Sequence, residues 1–233
     1  MTDNPPSSAE SADLPGSKLV ELVQVMDTLR INCPWDARQT HQSLMPHLLE
    51  ETYEAIDALS ADDQLAVCEE LGDVLLQVVF HARVAQERTD GTGYDIDDVA
   101  DGIISKLTRR HPHVFGDVSV SGPDEVKKNW DSIKAAERAA AGNGEPVSAL
   151  DGVPMSQPAL SLASQLLRRA ARAGVPVELA EQDAGDEKVS DLGRQLLALV
   201  VQAQAAGLDP ELELRAAARA YDKRVRDWES TGT

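Results

Sequence analysis

Aromatic residues and cysteines are scarce in this chain of 233 residues, and no apolar run in it is long enough to span a bilayer. Phe, Trp and Tyr make up only 3% of the residues, which favours helices over a β-sandwich or barrel. Cys33 and Cys68 have neither a zinc-ligand spacing nor a secretory context, so we expect reduced thiols and a cytoplasmic protein. With no signal peptide recognised, the sequence predicts no contact with a membrane.

Positive charge is also in short supply. The chain has 22 Lys and Arg against 40 Asp and Glu, a formal net charge of −18. Nucleic-acid polymers and anionic membrane surfaces attract basic proteins, so both are disfavoured as partners. A single nucleotide needs only a few local cations, and it remains compatible with this composition.

The spacing of apolar residues predicts an all-α protein in four segments. Residues 1–16 are rich in Pro, Ser and acids and are predicted to be disordered. Residues 17–141 form the first helical domain, 142–157 a linker rich in Gly and Pro, and 158–229 a second set of helices. The helices predicted in the first domain begin near Ser17, Ser43, Asp62, Asp95 and Asp124.

Five acids on two consecutive predicted helices form the most informative pattern. The sequence EETYE contains Glu50, Glu51 and Glu54, and ELGD contains Glu70 and Asp73. Residues three or four apart share a helix face, so antiparallel packing would bring these carboxylates together. Mg²⁺ binds carboxylates together with substrate phosphates, which indicates a metal site for a phosphorylated substrate. The alternative is a solvated acidic helix face, but Asp73 lies in an apolar run, where an unpaired carboxylate is costly.

A weak internal repeat links the two halves. LGDVLLQVVFHARVAQE (71–87) is similar to LGRQLLALVVQAQAAGL (192–208), with Asp191 in the place of Glu70 and Arg194 in the place of Asp73. The pattern is typical of a shared fold whose second copy has lost its metal site. The alternative is a coincidence between two helices rich in Leu, Ala and Val.

Three motifs together resemble one protein family. CPWDARQTHQSLMPHLLEETYEAIDAL, EELGDVLLQVVFHARVAQE and KLTRRHPHVFGD are similar to MazG nucleoside triphosphate pyrophosphohydrolases, closely over about residues 17–140. The resemblance implies a MazG-like helical bundle, followed here by a degenerate and non-catalytic second repeat. It also implies a homodimer that sanitises the nucleotide pool.

The activity that the resemblance implies is hydrolysis of NTPs or dNTPs, non-canonical or oxidised ones included, to the monophosphate and pyrophosphate. A water activated by Mg²⁺, or by Mn²⁺ in its place, would attack the α-phosphorus. Two alternatives remain open. One is a base-specific dNTP pyrophosphatase of the dUTPase or dCTPase type. The other is a non-catalytic helical module that senses nucleotide or binds a partner.

Residue roles follow from the matched motifs. Glu50 would orient water or act as the base, while Lys106 and Arg110 would neutralise charge on the departing pyrophosphate. Trp35, His111 and His113 are expected to pack within loops. The implied metal ligands are Glu51, Glu54, Glu70 and Asp73. The implied substrate contacts are His47, Lys106, Arg109, Arg110, Trp130 and Lys134.

Overall fold

A computed structural model describes residues 15–141, 148–181 and 189–231. Most of the predicted disordered segment 1–16 and part of the predicted linker 142–157 lie outside these ranges. Every regular element in the described ranges is a helix, which confirms the predicted all-α class. None of the described helices combines the length and apolarity that a membrane span requires.

The chain divides into two compact units, unit 1 (Met1–Val118) and unit 2 (Ser119–Thr233). The helices of unit 1 are α1 (Ser17–Asn32), α2 (His41–Ala61), α3 (Gln64–Ala85), α4 (Ile96–Arg110) and α5 (Pro112–Phe115). The helices of unit 2 are α6 (Pro123–Ala141), α7 (Ala159–Arg172), α8 (Glu178–Glu181), α9 (Asp191–Ala205) and α10 (Pro210–Ser230). The division places α6 in unit 2, whereas the sequence pattern assigned this helix to the first domain.

Helix α2 begins two residues before the predicted start because Thr40 caps it. The Thr40 hydroxyl accepts a hydrogen bond from the Ser43 N–H, and the Ser43 hydroxyl accepts one from the Thr40 N–H. This reciprocal pair satisfies two donors at the helix start. Pro46 consequently lies in the second turn of α2 and not, as predicted, in its first.

A short turn joins α2 to α3 and sets their antiparallel packing. Asp62 ends α2 in the left-handed region with φ of 56°, a conformation that Asp adopts more readily than most residues. Asp63 then caps α3 through hydrogen bonds that its carboxylate accepts from the N–H groups of Leu65 and Ala66. The chain therefore reverses direction within two residues.

Helix α3 is the centre of unit 1, packed against α1, α2 and α4. The core combines Met26 of α1, Leu44 of α2, and Val79 and Phe80 of α3. Part of α3 nevertheless faces solvent. The sequence analysis placed Asp73 in an apolar run, yet Leu71 and Val78 of that run are 51% and 38% exposed, and Leu65 earlier in α3 is 85% exposed.

Candidate active site

The α2–α3 hairpin brings three of the four predicted metal ligands together. Glu51 of α2 and both Glu70 and Asp73 of α3 each offer a carboxylate oxygen, and these atoms all lie within 4.8 Å of one another. All three side chains are half-buried. The antiparallel turn at Asp62 and Asp63 therefore converts two separate sequence motifs into one carboxylate cluster.

Glu54 lies beside this cluster but outside the group of three. It is exposed, one turn after Glu51 on α2. Partial burial, followed by the charges of Asp73 and Glu54, raises the pKa of Glu51. Partial burial, followed by the charges of Glu54 and Asp73, raises the pKa of Glu70. The acids are thus close enough to repel one another. The charge of Glu54 raises the pKa of Glu51 on its own helix and of Glu70 on α3.

In the described part of the chain, none of these four acids forms an ion pair with Lys or Arg. Concentrated negative charge without a protein cation is stabilised by a bound metal ion. Oxygen-only donors on a half-exposed surface suit Mg²⁺ or Mn²⁺, which accept carboxylates while keeping open positions for water and phosphate. The donor set therefore fits the metal that the sequence predicted.

Glu50 and His47 occupy the turns of α2 that precede Glu51. The Nδ1 atom of His47 lies 3.8 Å from a Glu50 carboxylate oxygen, and both side chains are largely exposed. The indole of Trp35 packs edge-on against His47, with ring centroids 6.0 Å apart, and against Phe80 at 6.4 Å. Trp35 therefore has packing contacts, as predicted, although it remains 49% exposed.

The predicted substrate-binding residues lie in both units. Lys106 and Arg109 are exposed and Arg110 is half-buried on α4, the helix that packs against α3. Trp130 and Lys134 lie on α6 and belong to unit 2. Lys106, Arg109 and Arg110 thus lie in the same unit as the acids, and Trp130 and Lys134 lie in unit 2.

Sequence analysis did not identify a buried arginine that supports the entry to α2. Arg30 of α1 is 8% exposed and donates to both carboxylate oxygens of Glu87, at 2.8 and 2.7 Å. Its Nη1 donates to the carbonyl oxygens of Asp36 and Gln39, which precede Thr40. The hydrogen bonds from Arg30 hold the pKa of Glu87 below its ordinary range. An arginine within the apolar face of α1 was the available sequence signal.

A histidine pair also escaped the sequence reasoning. His41, at the start of α2, stacks on His81 of α3 with ring centroids 5.1 Å apart, and their Nδ1 atoms are 2.8 Å apart. Burial, followed by the proximity of His41, lowers the pKa of His81. The two residues are 40 positions apart, so no local pattern could reveal the contact.

His111 follows α4 directly and His113 lies in the short helix α5, whereas the sequence analysis expected both in loops. His111 and His113 are half-buried, with ring centroids 5.6 Å apart. The Nδ1 atom of His111 lies 2.7 Å from the carbonyl oxygen of Leu107. His111 is therefore tied to the last turn of α4, near Arg109 and Arg110.

In unit 2, the positions aligned with Glu70 and Asp73 have different chemistry. Arg194 of α9 pairs with Asp191, which neutralises the carboxylate that would correspond to Glu70. Within the described part of unit 2, no three His, Cys, Asp or Glu side chains converge as a metal site would require. A cavity of about 610 Å³ between α7, α8 and α9 is lined almost entirely by apolar side chains, so it offers no hydrolytic groups.

A known protein family matches the segment that carries the acid cluster. The model of the "MazG nucleotide pyrophosphohydrolase domain" matches residues 39–115, which include the whole acid cluster. The chain is 36% identical to a nucleoside triphosphate pyrophosphohydrolase of Escherichia coli K12, covering 91% of this chain and 88% of that protein. It is 38% identical to "Nucleoside triphosphate pyrophosphohydrolase/pyrophosphatase MazG" of Thermotoga maritima, covering 90% and 84%.

Other matches differ in extent. A nucleoside triphosphate pyrophosphohydrolase of Mycolicibacterium smegmatis is 41% identical over 93% of this chain, but the chain spans only 60% of that protein. The crystal structure of a mazG-related protein from Thermotoga maritima aligns with 50% of this chain and 98% of its own, at 25% identity and a TM-score of 0.44. The two relatives matched over most of both lengths establish that this chain belongs to the MazG family of nucleotide pyrophosphohydrolases.

Proposed function

We propose that this chain hydrolyses nucleoside triphosphates to the monophosphate and pyrophosphate with the help of Mg²⁺. The observation that carries the proposal is the convergence of Glu51, Glu70 and Asp73 within 4.8 Å, inside the segment that matches the family. The names of the relatives support the same activity. A sensing module without catalysis would not require an acid cluster whose members repel one another.

Four acids would hold the metal. Glu51, Glu70 and Asp73 supply the converging oxygens, and Glu54 is close enough to join them after a side-chain rotation. When bound, Mg²⁺ would offset the charge of the triphosphate and lower the pKa of a nearby water. Mn²⁺ has similar preferences for oxygen donors and would substitute for it.

The remaining steps belong to residues of the chain. Glu50 is exposed next to the cluster and would accept the proton of the attacking water. The water oxygen bonds to the α-phosphorus while the bridging α–β oxygen leaves with its electron pair as pyrophosphate. Lys106 and Arg110 would stabilise that leaving charge from α4, with Arg109 and His47 as further phosphate contacts.

The substrates we propose are NTPs and dNTPs, with non-canonical or oxidised ones among them, which would suit sanitation of a cytoplasmic nucleotide pool. The site also suits a homodimer. Leu71 and Val78, seven residues apart and so on one face of α3, leave an apolar surface on the same helix that carries Glu70 and Asp73. Covering this surface with a second copy would remove it from water and rigidify the metal-binding helix.

Pyrophosphate release tests the proposal. We expect the full chain to release pyrophosphate from a panel of the eight standard NTPs and dNTPs plus oxidised ones, and EDTA to abolish it. The double change Glu51→Ala, Glu54→Ala should remove the activity, with Asp97→Ala, Asp101→Ala on the exposed surface of α4 as a control of equal charge. Turnover in EDTA, or in the first double variant, would contradict the metal assignment. Turnover confined to one base would favour the base-specific alternative.

A further inference from the structure

A buried polar side chain lies one turn beyond the acid cluster on α3. Gln77 is only 6% exposed, and it follows Asp73 by four residues, so the two side chains lie on the same face of the helix. The amide oxygen Oε1 of Gln77 is buried and has no hydrogen-bond partner among the described residues. Because a buried acceptor without a donor is destabilising and rare in proteins, we expect this oxygen to have a partner when the protein functions.

Gln77 lies between two contacts that join α2 and α3. His41 stacks on His81 at one end of the helix pair. Glu51 meets Asp73 at the other, nearer the connecting turn. Gln77 is midway between His81 and Asp73 along α3, one turn from each. The donor that its Oε1 lacks is therefore expected from one of these two neighbouring turns.

The histidine end does not supply this donor directly. The Nε2 atom of His81 is also buried without a partner among the described residues, so it is not hydrogen-bonded to Gln77. The Nδ1 atom of His81 is occupied by His41 at 2.8 Å. A long side chain in a helix leans toward the turn that precedes it, which for Gln77 is the turn of Asp73. The helix geometry therefore directs Gln77 toward the acid cluster.

Ionised carboxylates accept hydrogen bonds and cannot donate them, but the hydration shell of a cation can. Mg²⁺ held by carboxylates keeps several waters, whose oxygens bind the metal and whose hydrogens remain available to an acceptor. A water of this kind beside Asp73 would supply the donor that Gln77 lacks. The amide is suited to this role because it adds an acceptor without adding charge to acids that already raise the pKa of Glu51 and Glu70.

We propose that Gln77 is a positioning residue whose Oε1 accepts a hydrogen bond from a water in the Mg²⁺ hydration shell and so helps to hold the hydrated ion in the acid cluster. The inference rests on the proposed function, because it requires the metal. It adds a neutral residue to a site that the sequence motifs and the converging carboxylates define by charge alone. In this role Gln77 acts on the metal through water.

Calorimetry of Mg²⁺ binding to the full chain, without nucleotide, tests the proposal. Gln77→Met keeps the length of the side chain but removes the acceptor, and it should weaken Mg²⁺ binding about tenfold, the scale for loss of an outer hydrogen bond at a metal site. Gln77→Glu keeps an acceptor oxygen and should bind Mg²⁺ at least as tightly as the unmodified chain. Val79→Ala is the matched control, since it creates a packing defect in the core on the same helix and should leave Mg²⁺ affinity unchanged.

Thermal denaturation in EDTA separates positioning from a structural role. Gln77→Met should melt at or above the temperature of the unmodified chain, because it removes an unpaired buried acceptor, whereas Val79→Ala should melt lower. A lower melting temperature of Gln77→Met with unchanged Mg²⁺ affinity would overturn the proposal and assign Gln77 to a buried water shared with His81.

The two glutamine variants decide whether the acceptor oxygen matters. Weaker Mg²⁺ binding in Gln77→Met, but not in Gln77→Glu or Val79→Ala, would support the proposal. Equal weakening in Gln77→Met and Gln77→Glu would overturn it. Unchanged affinity in Gln77→Met would refute only the role of Gln77, whereas an unmodified chain that bound no Mg²⁺ would refute the proposed metal site as well.

Discussion

Replacing Asp73 by Asn should make the metal-free protein more stable while removing its activity. Asp73 and Glu51 have carboxylate oxygens within 4.8 Å of each other on half-exposed helices. At that separation two like charges repel by about 1 kcal/mol in a water-like dielectric, and the side chains are exposed enough for that lower value to apply. The amide keeps the shape of the carboxylate but removes its charge.

The effect is measurable by thermal denaturation in EDTA. A gain of about 1 kcal/mol corresponds to a melting temperature about 2–4 °C higher for a chain of this size. Added Mg²⁺ should raise the melting temperature of the unmodified protein, because it binds the folded state, and should raise that of Asp73→Asn much less. Pyrophosphate release should fall about 100-fold, the scale for loss of a positioned electrostatic group.

Asp101→Asn provides the matched control, since Asp101 is an exposed carboxylate on α4 outside the cluster. It should change neither the melting temperature in EDTA nor the response to Mg²⁺. If Asp73→Asn melted at or below the temperature of the unmodified protein, repulsion within the cluster would not be significant. If it also kept its turnover at limiting Mg²⁺, Asp73 would not be a metal ligand.

Three further predictions concern pH, folding and assembly. The raised pKa values of Glu51 and Glu70 contribute stability below their unfolded pKa that is lost as the pH rises through the folded pKa values, so the metal-free melting temperature of Asp73→Asn should increasingly exceed that of the unmodified protein over that range. Mg²⁺ should reverse this loss, and an unchanged difference from Asp73→Asn would contradict the prediction. Arg30→Ala should lower the free energy of unfolding, measured in urea, by about 2–3 kcal/mol, because two backbone carbonyls and Glu87 lose a buried donor. Arg38→Ala should lower it much less, since Arg38 is exposed. Light scattering should show a species of twice 25.1 kDa that Leu71→Glu converts to the monomer, and a monomeric unmodified chain would exclude the homodimer.

The helical class and most helix boundaries could be predicted from local sequence patterns. Apolar spacing, caps and prolines act within one or two turns, so a local pattern is enough to locate them. Asp95 illustrates this: it caps α4 by accepting from the N–H groups of Asp97 and Asp98, as its position before an apolar stripe indicated. Ser43 shows the limit, because both Thr40 and Ser43 are good caps and only their reciprocal bond decides between them.

The sequence also supplied the candidate acids, but not their geometry. Periodicity placed Glu51 and Glu54 on one helix face and Glu70 and Asp73 on another. Which carboxylates meet depends on the rotation of each helix about its axis, which the α2–α3 turn and the core contacts fix. The outcome is a group of three, with Glu54 beside it.

Contacts between distant parts of the chain become visible only once the helices are packed together. Arg30 meets Glu87 across 57 positions, His41 meets His81 across 40, and α6 groups with the C-terminal helices, where Arg172 meets Asp131. None of these pairs has a periodic signature, because the chain that separates them can follow many paths. Local interactions select each helix, whereas the burial of apolar faces selects which helices meet and hence which charged groups share a site.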